Sequence, residues 1–203
     1  MQQQLADMLA LQDRMNTKVH PQWREQGYEW YRAVWTECAE LMDHFGWKWW
    51  KKQTPDLPQL QLEIVDIWHF GMSILLVREQ DHAAVANQIA NHWTTQTSTT
   101  DFRIAVEALA QDTLTTKAFS IPLFCQLMTL ADFSLEQLYK QYTGKNVLNF
   151  FRQDHGYKEG TYPRKWHGKD DNEHLAEVLD LLDASAADFQ QALYAALQAR
   201  YPG

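Results

Sequence analysis

The stretch Leu60-Gln61-Leu62-Glu63-Ile64-Val65-Asp66-Ile67-Trp68-His69-Phe70-Gly71-Met72-Ser73-Ile74-Leu75-Leu76-Val77-Arg78-Glu79 is apolar around most of a helical circumference. That pattern marks a central, buried helix. Leu60, Ile64, Ile67, Gly71 and Ile74 recur at helical spacing, with Glu63, Asp66 and His69 threaded between them. Residues three apart share one helix face, so Glu63 and Asp66 point the same way. The preceding stretch 28–45 repeats the design: Trp30, Val34, Cys38, Leu41 and Phe45 make the stripe, and Glu37 and Glu40 interrupt it. Unpaired carboxylates on core-facing turns are costly to desolvate, so a positive group is expected among the four. Hard oxygen donors with a single His suit Mg²⁺, with Mn²⁺ as a substitute, better than zinc. Two other readings stay open. The acids could be solvated helix faces, or part of a di-iron bundle, which needs Glu-x-x-His on each of two helices. Only Asp66-x-x-His69 approaches that pattern, which disfavours iron.

Outward from this pair, the pattern is helical nearly throughout. Helices are expected at 3–19, 28–45 (closed by Gly46), 60–79, 82–93, around 102–109 and at 120–133. Ser134-x-x-Gln137 has the form of a capping box opening a helix to residue 142. A separate helix is expected from Gly144 to residue 155, then an unpatterned stretch 156–168, then helices at 172–183 and 184–200. The run 94–100, rich in Thr, Ser and Gln, reads as a surface loop. Neither a repeat nor a linker interrupts the chain. The fold class is all-α, a multi-helix bundle, with residues 1–203 forming a single domain.

A length of 203 residues, 45% hydrophobic and 22% charged, fits one globular domain with a sizeable core. The first residues carry no basic region followed by an apolar run, so no export signal is expected. No uncharged apolar stretch approaches a membrane span, so no membrane partner is expected. Cys38 and Cys125 both sit in apolar helical contexts, which points to reduced buried thiols and a cytoplasmic location. The net charge of −8 argues against nucleic acid as a partner. Yet residues 145–169 carry six basic side chains (Lys145, Arg152, Lys158, Arg164, Lys165, Lys169) against Asp154 and Glu159. A local basic segment in an acidic chain suggests a small polyanion held in one place; a solvated charged loop is the plainer alternative.

Within that segment Lys145, Asn149 and Arg152 stand on one helix face, and Tyr157, Lys158, Lys165 and Asn172 extend the donor set. Such groups donate to phosphate oxygens, Arg in bidentate fashion. Gly156, Gly160 and Gly168 would let the irregular stretch fold over a ligand as a lid. No Gly-x-x-x-x-Gly-Lys-Ser/Thr run exists, which excludes a Walker-type site. Gln12 and Asn16 place two amides one turn apart on the first helix. Amides offer both donors and acceptors to a base edge, although solvated surface amides would look the same. Trp47, Trp49 and Trp50 could stack a base or simply pack, and Phe70 beside His69 is equally compatible with core packing.

Taken together, these segments resemble the dimeric, all-α dUTP diphosphatases, relatives of the MazG-like nucleotide pyrophosphohydrolases. The matching runs are Leu11-Gln12-Asp13-Arg14-Met15-Asn16, Trp35-Thr36-Glu37-Cys38-Ala39-Glu40-Leu41, Trp47-Lys48-Trp49-Trp50-Lys51 and Glu63-Ile64-Val65-Asp66-Ile67-Trp68-His69-Phe70. Further along come Asn146-Val147-Leu148-Asn149-Phe150-Phe151-Arg152, Gly156-Tyr157-Lys158-Glu159-Gly160-Thr161-Tyr162 and Trp166-His167-Gly168-Lys169-Asp170-Asp171-Asn172-Glu173. The resemblance implies Mg²⁺-dependent hydrolysis of dUTP and dUDP to dUMP by a homodimer. It implies Glu37, Glu40, Glu63 and Asp66 as metal ligands, with Glu37 or Glu40 also orienting or deprotonating the water. Gln12 and Asn16 would read uracil, Trp47 and Lys48 would lie beside the nucleotide, and His69 and Phe70 would contact the sugar. Lys145, Asn149, Arg152, Tyr157, Lys158 and Lys165 would hold the phosphates, with Asn172 beside them. Pro163-Arg164 before Lys165 departs from the family pattern. The runner-up is a related pyrophosphohydrolase for another nucleotide, such as dCTP or a damaged base. A third reading is a helical nucleotide-binding protein without catalysis.

Overall fold

In the computed structural model the described residues are 1–184, 186 and 188–202. Its elements run α1 (Gln2–Val19), a 3-10 turn (Trp23–Glu25), α2 (Trp30–Phe45), α3 (Leu57–Arg78), α4 (His82–His92), α5 (Phe102–Thr116) and α6 (Ile121–Leu130). There follow α7 (Leu135–Asp154), β1 (Lys165–Trp166), β2 (Lys169–Asp170), α8 (Asp171–Leu179) and α9 (Phe189–Gln198). The all-α reading holds; the only strands among the described residues form one two-residue ladder. The chain divides into two compact units, Met1–Leu138 and Tyr139–Gly203.

In the first unit α3 is the central element. Asp56 caps it by accepting the Gln59 N–H, and Pro58 occupies its first turn, where a missing N–H costs nothing. By length and composition alone α3 could cross a membrane, but 72% of its most apolar window is buried inside the protein. Ile64, Val65, Ile67, Trp68, Met72 and Leu76 have no exposed surface. Gly71 serves close packing: a Cβ there would lie 2.5 Å from the Phe119 ring. Phe119 in turn lies against Trp68, which stacks on Phe124 at 4.9 Å. α2 packs along α3 and α5, and α1 against α3 and α4. Cys38 and Cys125 are free, buried thiols. Burial pushes them up to about 12 and about 11, with the Glu37 charge adding to the first, so neither is a nucleophile.

The expected break at Gly144 is absent. α7 runs unbroken from Leu135 to Asp154, and the boundary between the units falls inside it. Ser134 and Gln137 do form the reciprocal capping box, at 2.8 and 3.2 Å. Gly144 is there for contact rather than termination, since a Cβ would come within 2.8 Å of the Leu179 side chain.

The second unit packs Val147, Leu148 and Phe151 of α7 against Trp166, Leu175, Val178, Phe189, Leu193 and Leu197. The stretch without a clean period ends in the first strand and turn of the β1–β2 hairpin. Its two turn residues, His167 and Gly168, both have positive φ (50° and 86°), the backbone of a tight I′-type turn. α8 opens on a second capping box, Asp170 with Glu173. It stops at Leu179, short of the expected residue 183. The last helix, expected from 184, is observed from Phe189; positions 185 and 187 lie outside the described residues.

Candidate active site

Packing α2 along α3 brings Glu37, Glu63 and Asp66 together, with a ligand oxygen of each within 4.8 Å of the others. Glu63 is buried, and Glu37 and Asp66 are half-buried. Burial, then the charge of Asp66, then a hydrogen bond with Glu63 push the Glu37 carboxyl up to about 8. Burial and Asp66 also raise Glu63, which accepts a hydrogen bond from the Glu37 carboxyl. Three carboxylates that cannot comfortably ionise together have the donor type and charge for a hard divalent cation. Glu40 is not in this tight group. It is exposed one turn along α2, yet its charge still raises both Glu37 and Glu63.

Gln12 and Asn16 are buried, 4% and 7% exposed, so they are not solvated surface amides. Gln12 Nε2 donates to Asn16 Oδ1 at 3.0 Å and to Ser73 Oγ at 3.1 Å. Asn16 Nδ2 donates to the same Ser73 Oγ at 3.0 Å. Gln12 Oε1 meets His69 Nδ1 at 2.7 Å. Phe70 is half-buried and stacks on Trp30 at 6.2 Å. The α2–α3 connection holds Trp47 and Lys48 through one carboxylate: Trp47 Nε1 and Lys48 Nζ both donate to Asp43 Oδ1 at 3.1 Å. Trp49 is 90% exposed, packed edge-on against Trp50.

In the second unit the proposed phosphate donors differ sharply in setting. Lys158 and Lys165 are exposed, and so is Tyr157, whereas Lys145 is buried on α7. Arg152 is buried too, and its fork is engaged. Nε and Nη2 each donate to Asp171 at 2.8 Å, and Nη1 donates to Asn149 Oδ1 at 3.1 Å. Tyr162 adds a third bond to Asp171, at 2.9 Å. The Arg152–Asn149 pair on α7 is therefore built into a buried polar network. Asn172 is half-buried, and its Oδ1 has no hydrogen-bond partner. As an acceptor, that oxygen has the wrong polarity for a phosphate; only the NH₂ end of the amide could serve.

A family model described as dUTPase matches residues 4–157. The chain belongs to the dUTPase family. Among curated proteins no match was found. This dUTPase hydrolyses dUTP, and the family match favours neither of the other two readings. The matched span contains the whole acidic and amide constellation plus Lys145, Asn149, Arg152 and Tyr157; Lys158, Lys165 and Asn172 lie beyond it.

Four further side chains contact the predicted residues, each within its own unit. His44 Nε2 lies 3.3 Å from Glu63 Oε1, and its place seven residues after Glu37 on α2 was a legible signal. Ser73, one turn after His69, was legible in the same way. Asp43 and Asp171 carried no pattern that distinguished them from the surrounding acids.

Proposed function

We propose that this dUTPase uses Mg²⁺, held by Glu37, Glu63 and Asp66 with Glu40 close by, and accepts dUDP as well as dUTP. The reading rests on one observation, the convergence of three carboxylates from two helices within 4.8 Å. Bound there, the cation would neutralise phosphate charge and make a nearby water more acidic. Glu40, exposed beside the group, is assigned to orient or deprotonate the attacking water, with Glu37 as the second candidate. Gln12 and Asn16 are assigned to the uracil edge, Trp47 and Lys48 to the nucleotide, and His69 to the sugar. Phe70, braced by Trp30, would be the wall that excludes a ribose 2′-hydroxyl. Lys145, Asn149, Arg152, Tyr157, Lys158, Lys165 and Asn172 are assigned to phosphate oxygens.

Phosphate release, with pyrophosphatase added, should be seen from dUTP and dUDP with Mg²⁺. It should vanish with chelator, be partly supported by Mn²⁺, and be far weaker for dCTP and UTP. Equal turnover of dCTP or UTP would remove the base and sugar assignments; full activity in chelator would remove the cation. The proposal includes a homodimer, for which light scattering should give twice the monomer mass; a monomer mass would refute it. It also includes a cytoplasmic location, supported by two buried, unpaired thiols; export of the native protein in a fractionation would refute it.

A further inference from the structure

Ser73 has no exposed surface and lies one helical turn beyond His69 on α3. Its hydroxyl donates to the His69 carbonyl at 3.0 Å, a back-bond common to helical serines. That bond uses the only hydrogen the hydroxyl has, so towards every other neighbour Oγ can act only as an acceptor. Two amides meet it there: Gln12 Nε2 at 3.1 Å and Asn16 Nδ2 at 3.0 Å. Turning either amide over would set a carbonyl oxygen against an oxygen with no hydrogen to give. Each amide is thereby locked with its NH₂ end on Ser73. The carbonyl ends are placed as a consequence, Gln12 Oε1 on His69 Nδ1 and Asn16 Oδ1 on Gln12 Nε2.

The sense of an amide matters because exchanging its ends exchanges a donor for an acceptor. Uracil and cytosine differ in that same respect along their pairing edge: N3–H beside a carbonyl in one, a bare N3 beside an amino group in the other. We propose that Ser73 is a positioning residue that fixes the polarity of the Gln12–Asn16 pair and so sets the preference for uracil over cytosine. This rests on the reading above, in which these amides face the base. Ser73 acts through them and needs no contact with the nucleotide. A site that matches hydrogen-bond polarity discriminates strongly because the wrong base leaves buried polar groups unpaired.

The test compares kcat/KM for dUTP and dCTP in the wild type, Ser73→Ala and Gln12→Ala, each shown to be folded by its melting curve. Ser73→Ala should lower the dUTP/dCTP ratio about tenfold or more, through KM, with kcat for dUTP within about twofold of wild type. A merely structural serine would instead depress both substrates alike. If the Ser73→Ala ratio stays at the wild-type value while Gln12→Ala collapses it, the role of Ser73 is overturned and the base reading stands. If Gln12→Ala leaves the ratio intact, the base reading itself fails and the inference falls with it.

Discussion

Replacing Glu37 with Gln should abolish dUTP turnover while leaving the fold intact. The loss should be at least about 10²-fold, because removing even an outer-shell partner of a metal ligand costs about 10–100-fold. Gln keeps the shape of the side chain and removes one negative charge from a group already crowded by Glu63 and Asp66. A second readout separates the site from a general effect. Glu37 ordinarily titrates at 4.5 and is pushed up to about 8 in the folded chain. Between those values the folded state holds a proton that the unfolded state has released. The stability this group contributes is therefore complete below 4.5 and is lost as pH rises through about 8. Without a divalent cation, the wild type should melt at progressively lower temperature across that window. Glu37→Gln has no such proton to lose and should show a flatter profile. Adding Mg²⁺ should stabilise the wild type increasingly with pH, by mass action on the ionised site, and the variant much less. Near-normal turnover in Glu37→Gln, or identical pH profiles, would take Glu37 out of the cation site.

The fold could be read from the sequence wherever local signals and packing agree. The stripes of α2 and α3, the Ser134–Gln137 box and the 94–100 loop all stand where periodicity and capping chemistry put them. Gly144 misled because glycine carries two meanings, termination and close approach. Only the tertiary neighbour, Leu179, distinguishes them. The hairpin at 165–170 was invisible because two residues per strand are too few to show alternation, and its His-Gly turn is a weak signal beside Asn-Gly.

The candidate site divides along the same line. Acids three apart on adjacent helices are a pattern that spacing reveals, and three of the four converge. Which three depends on the rotation of α2 against α3, and that rotation leaves Glu40 exposed. The amides at 12 and 16 share a face by spacing, but their burial and common partner 57 and more residues away are tertiary facts. Arg152 shows the limit most clearly. A basic residue on a helix reads as available to a ligand, and nothing in its surroundings announces a carboxylate 19 positions later.

That carboxylate leads to the second large effect. Replacing Asp171 with Ala should destabilise the second unit by about 3–5 kcal/mol, the usual consequence of removing one partner of a buried ion pair. Asp171 has no exposed surface, and Arg152 is 8% exposed, so the variant strands a guanidinium where water barely reaches it. The Tyr162 hydroxyl loses its acceptor in the same change. Burial alone would raise the Asp171 carboxyl, but the hydrogen bonds and charge of Arg152 outweigh it and hold the group below its ordinary 3.8. Its contribution is therefore present above 3.8 and is lost as pH falls through the lowered value. The destabilisation by Asp171→Ala should accordingly shrink in strong acid. Chemical denaturation of the wild type, Asp171→Ala, Arg152→Met and the double variant measures the coupling directly. Restoration of part of the lost stability in the double variant is the expected sign of a stranded charge. Additive losses would mean that the two side chains stabilise the unit independently. Activity adds a separate discrimination. Because Arg152 also donates to Asn149, a weakened dUTP affinity in folded Asp171→Ala would mean that the pair positions the α7 donors, and an unchanged affinity would confine it to holding the unit together.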